Sequence, residues 1–102
     1  MLLFVATIAA VLPSPADVQA VEESRVLAPY VSFTRDGRQI AEFAPTVETR
    51  NASCAAGGGG GADCTYEARV RDFFQREFGN WEARHERLVR RKNRWVRAPS
   101  GS

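Results

Sequence analysis

The chain is poor in the side chains that catalysis and metal binding use most. Its 102 residues include one histidine, His85, and two cysteines, Cys54 and Cys64. One imidazole and two thiols cannot fill a four-ligand metal set without a carboxylate. No nucleophile motif accompanies His85. No apolar run approaches the roughly 20 residues that a membrane-spanning helix needs. The five consecutive glycines 57–61 are not followed by Lys-Ser/Thr, and no G-x-G-x-x-G spacing ties a strand to a helix, so nothing here cradles a nucleotide. The expectation is a protein without cofactor or metal that is not an enzyme.

What is present divides unevenly. Net charge is +2, but residues 65–97 hold nine of the thirteen arginines together with Lys92, against five acids (Glu67, Asp72, Glu77, Glu82 and Glu86). That stretch carries +5 and the remainder −3. An anionic partner would find its complement there. The competing reading is a solvated amphipathic surface laced with Glu–Arg pairs.

Residues 2–12, LLFVATIAAVL, form an unbroken apolar and small-residue run with one threonine. The length suits the core of a signal peptide, and Pro13 and Pro15 then interrupt it. No Lys or Arg precedes it, only the amino group of Met1. Small residues at −3 and −1 mark two cleavage sites, one after Ala16 and one after Ala20. Residues 1–20 are therefore expected to be a signal peptide, 21–98 a single small domain, and 99–102 a disordered tail. The rivals are a folded N-terminal element and a retained anchor formed by residues 2–12. In an exported chain, two cysteines read as a disulfide, Cys54–Cys64. The loop of residues 55–62 between them is flexible enough to allow closure.

Along the chain, Ser14-Pro15-Ala16-Asp17 reads as a helix start: cap, proline at the first helical position, acid in the first turn. Residues 30–35 and 38–43 flank Asp36-Gly37, which predicts a β-hairpin. A two-residue turn would set Arg35 opposite Arg38. A three-residue loop with Gly37 left-handed avoids that like-charge pair. Residues 46–50 are expected to add a third strand, giving a meander with Phe33, Ile40 or Ala41, Phe43 and Val47 inside. Asn51-Ala52-Ser53 matches a glycosylation sequon.

From Asp63 to Gly79, Tyr66, Val70, Phe73, Phe74 and Phe78 recur at steps of three and four. This predicts an amphipathic helix over 64–78, packed on the meander, although CTYEARVR also alternates as a strand would. Residues 81–97 read either as a second, Arg-rich helix or as a β-hairpin turning at Lys92-Asn93. The fold class is thus α+β, with the aromatics expected in the core.

The candidate anionic-partner surface comprises Arg69, Arg76, Arg84, Arg87, Arg90, Arg91, Lys92, Arg94 and Arg97. Its partner would be an anionic protein face, a lipid headgroup or a polysaccharide. Export argues against nucleic acid. The expected function is that of a small exported binding or accessory protein, periplasmic or secreted. The alternative is an accessory subunit of a membrane complex with residues 2–12 retained as its anchor.

Overall fold

The computed structural model describes residues 11–99. The apolar run 2–12, apart from Val11 and Leu12, and the last three residues of the tail lie outside the described residues. The fold is α+β: one helix packs on an antiparallel sheet.

Helix α1 spans Pro15–Leu27. Its start is the one its sequence dictates. The Ser14 hydroxyl accepts from the Asp17 N–H (3.1 Å), and the Asp17 carboxylate accepts from the Ser14 N–H (2.8 Å), a reciprocal capping box. Val18, Val21 and Glu22 are buried. A single 3-10 turn, Ala28–Tyr30, leads to a two-stranded hairpin of β1 (Val31–Phe33) and β2 (Gln39–Ala41). Phe33 stands opposite Gln39 and the Thr34 N–H donates to the Arg38 carbonyl at 2.9 Å, so the loop is the three residues 35–37, and Gly37 adopts φ +85°. The arginine clash of a two-residue turn is thereby avoided.

Four strands build the main sheet in the order β3-β4-β5-β6, each antiparallel to the next. They are β3 (Thr46–Ala56), β4 (Ala62–Arg71), β5 (Glu82–Arg91) and β6 (Arg94–Arg97). Two expectations are corrected here and one open alternative is decided. The strand expected at 46–50 is longer than expected and pairs with β4, not with the hairpin, so the meander runs through β3–β6 and not through residues 30–50. Residues 62–71 are a strand, not the first turns of a helix. Residues 81–97 resolve in favour of the hairpin.

The helix expected over 64–78 fails for a physical reason. Its period rested on large aromatics, whereas the buried side of β4 consists largely of small residues. Ala62, Cys64, Tyr66 and Ala68 are all buried at period two. Ala62, Cys64 and Ala68 leave room for α1 to lie close to the sheet, where Val18, Val21 and Leu88 complete the core. Phe73 and Phe74 fall in the loop after β4, 57% and 84% exposed, and Phe33, Ile40 and Phe43 are exposed as well. The expected placing of most aromatics in the core is therefore corrected too. Among the described aromatics only Tyr66 is buried, while Phe78, Trp81 and Trp95 are half-buried.

Cys54 stands directly opposite Cys64 across β3 and β4, and the two form a disulfide. The glycine segment closes this hairpin: the Gly57 N–H donates to the Gly61 carbonyl at 2.8 Å. Between them Gly59 turns the chain at φ +70°, a conformation in which a Cβ would be strained.

Candidate basic interaction surface

Strand register sorts the nine candidate cations, because alternate residues of a strand face opposite sides of the sheet. Arg84, Arg90 and Arg97 lie on the side that carries α1. Arg69, Arg87, Arg91 and Arg94 lie on the open side. Lys92 is in the β5–β6 turn and Arg76 in the β4–β5 loop, at the other end of the sheet. The sheet does not gather all nine into one surface.

Most of those on β4 and β5 are already engaged. Arg69 donates to Glu48 at 3.1 Å and lies 4.5 Å from the ring centres of both Phe78 and Trp81. Arg50 covers Trp81 at 4.0 Å and pairs with Glu67 at 3.2 Å; Arg71 lies 5.3 Å from Phe78. Arginine and aromatic side chains thus alternate across the open side, and this ladder holds the 72–81 loop against it. Asn51, at a bulge in β3 with φ +55°, donates to Glu67 at 2.8 Å. Arg87 pairs with Asp63 at 3.8 Å and donates to the Gly58 carbonyl, clamping the glycine loop. Arg97 pairs with Glu86 at 3.3 Å.

Arg84 belongs to a buried cluster that no sequence pattern announced. Glu22 has no exposed surface. It accepts from the Tyr66 hydroxyl at 2.6 Å and from the Arg25 guanidinium at 2.5 Å. Arg84 Nε lies 3.6 Å from it, and the Arg84 guanidinium also reaches Glu82 at 2.8 Å. Burial alone would raise the Glu22 pKa. The hydrogen bonds from Arg25 and Tyr66 and the charges of Arg25 and Arg84 outweigh it, holding Glu22 below the usual carboxylate range. Burial, and then the bond to Glu22, push the Tyr66 phenol well above its ordinary value. The signal in the sequence was an acid on the apolar side of α1, beside Val18 and Val21.

Of the five cations left over, Arg76 stands apart in the β4–β5 loop and the other four are adjacent. Arg90, Arg91, Lys92 and Arg94 occupy the tip of the β5–β6 hairpin, and among the described residues none has a carboxylate within 4 Å. Arg91 faces Arg94 directly across the strands, a like-charge pair that weakens the hairpin on its own. Lys92 and Asn93 both have positive φ (49° and 64°), as a type I′ turn requires. Arg90 lies 5.8 Å from the Trp95 ring.

His85 is exposed on the open side opposite Thr65, in a shallow depression shared with Asn51 and Glu67. On a strand, Glu82 points to the other side, so the spacing that would suit a metal pair on a helix does not exist here. Among the described residues, no group of three His, Cys, Asp or Glu side chains is placed to hold a metal ion. No protein-family model, no curated protein and no solved structure matches this chain.

Proposed function

We propose that this is a small exported, non-catalytic binding or accessory protein that docks through the basic tip of the β5–β6 hairpin. The observation that carries the reading is the concentration of Arg90, Arg91, Lys92 and Arg94 on one turn, without acid partners among the described residues. Such a cluster lowers hairpin stability, and a bound anion would relieve that repulsion. The partner presents an anionic protein face, a lipid headgroup or a polysaccharide.

Export is supported by the apolar run 2–12 and by the Cys54–Cys64 disulfide, which is compatible with an oxidising compartment. Of the two cleavage sites, the one after Ala16 fits the packing better. Cleavage after Ala20 would remove buried Val18 and also Gln19, whose side chain bonds to β3. Among the described residues no helix is long and apolar enough to cross a membrane.

The test is binding to a sulfated polysaccharide and to anionic vesicles across a salt series. Affinity should fall roughly tenfold or more between 50 and 200 mM salt, as release of several counterions requires. Arg91→Ser combined with Arg94→Ser should flatten that dependence while leaving the fold intact. Salt-insensitive binding, or no binding to any polyanion, removes the basis of the proposal.

A further inference from the structure

The main sheet has two outer edges, and they are treated differently. The β3 edge is capped at one point by a side chain. Gln19 of α1 donates to the Val47 carbonyl at 2.7 Å and accepts from the Thr49 N–H at 2.9 Å. Its amide thus stands in for one residue of a neighbouring strand. The β6 edge has no such cover. The Ala98 N–H donates inward to the Arg87 carbonyl at 2.9 Å. By antiparallel alternation Arg94 and Val96 also point inward, which leaves the N–H and C=O of Trp95 and Arg97 facing out. Among the described residues nothing pairs with them.

Beside this edge, α1 and β6 enclose a groove of about 440 Å³. Val21 and Trp95 supply apolar wall, Arg25 and Arg97 supply cations, and Arg94 borders the groove from the open side of the sheet. The one acid lining it, Asp17, is turned to the Ser14 cap. Arg25 and Arg97 have acid partners, and Arg94 has none among the described residues.

We propose that the free edge of β6 and this groove take an extended acidic segment of a partner protein as a fifth strand. The proposal rests on the basic-hairpin reading and narrows it to one partner class. Backbone pairing at Trp95 and Arg97 supplies the attachment, and alternate side chains supply selectivity. Side chains of the added strand that share the helix side lie beside Trp95 and Arg97, where a carboxylate meets Arg97. Those on the open side lie beside Arg94 and Val96, where a carboxylate meets Arg94. A second copy of β6 in that place would add two more arginines and no acid beside Arg94 and Arg97, and the edge is charged against it.

The experiment uses the full chain and three labelled hexapeptides: one alternating glutamate with valine, the same peptide N-methylated at alternate backbone amides, and one alternating lysine with valine. Fluorescence anisotropy reads affinity, and amide exchange reads the site. The acidic peptide should bind and slow exchange at Trp95 and Arg97 while leaving Thr49 unchanged. N-methylation, which keeps every charge, should weaken binding by about tenfold or more, the effect of losing one or two hydrogen bonds. The lysine peptide should not bind. Equal affinity for the N-methylated peptide, or no protection at Trp95 and Arg97, overturns strand addition and leaves the basic tip standing. Binding of the polysaccharide or vesicles without the acidic peptide overturns the partner class. Failure of every polyanion to bind overturns both readings.

Discussion

Glu22 is an ionised carboxylate held inside the protein by two guanidiniums and a phenol. Removing the charge should expose how much they depend on it. Glu22→Gln keeps the shape but leaves Arg25 and Arg84 facing a neutral group. Breaking a buried pair costs about 3–5 kcal/mol, and partial solvation of both arginines reduces this to about 2–3 kcal/mol. Because the folded pKa of Glu22 is depressed, its contribution is present above the ordinary value of 4.5 and is lost as pH falls through the folded pKa. Tyr66 is raised, so its contribution is complete below its ordinary value of 10.0 and declines as pH climbs beyond it. Denaturation across pH should show both limbs in the wild type and a flattened acid limb in Glu22→Gln. Gln19 invites a second substitution. Gln19→Leu removes the bonds to Val47 and Thr49 at a cost of about 1–3 kcal/mol. It should also speed amide exchange at Thr49 and bring concentration-dependent association through the opened β3 edge, read by light scattering.

At the level of elements, local chemistry was legible and long-range pairing was not. Ser14, Pro15 and Asp17 determine the start of α1 within one turn of chain. Asp36 and Gly37 do the same for the place of the first hairpin, while its loop length follows the avoidance of an Arg35–Arg38 pair. The strand at 62–71 was misread because its core positions are Ala62, Cys64 and Ala68, which carry little hydrophobic weight until a helix from 40 or more residues earlier lies on them. Phe73, Phe74 and Phe78 outweighed them and imposed a helical period, yet the first two are exposed and the third stacks on arginines. The candidate cations were found as residues, but their division between two sides of a sheet depends on register, which the charge pattern does not contain. The β5–β6 turn gives a prediction of its own. Asn93→Gly places glycine at the second positive-φ position of a type I′ turn and should stabilise the hairpin by about 0.5–1 kcal/mol, read as a higher denaturation midpoint.

For the whole molecule, the question is what is removed before folding is complete. The exported form is expected to begin after Ala16, to retain Val18 and Gln19, and to gain mass on reduction as Cys54–Cys64 opens. Intact mass of the native protein, reduced and non-reduced, reads both. A mature chain starting at Val21 would contradict the proposed processing site. Recovery of intact Met1 from a membrane fraction would favour the anchored-subunit alternative.

The position of α1 has a consequence for the order of assembly. It is the first described element, and its two flanks meet β3 and β6, the outer strands of a sheet completed only at Arg97. The helix leaves the ribosome before any strand of the sheet, yet its docking site does not exist until β6 has followed. At 13 residues it is marginal alone, and its capping box supports it only while Ser14 is still attached, before the proposed cleavage after Ala16. Contacts so distant in sequence close large loops and slow the search. During that delay the β3 edge lacks its cap, since Gln19 has no strand to bond. An incomplete chain of this protein is therefore more exposed to edge-to-edge aggregation than the folded one, and α1 is the element that reduces that exposure at β3.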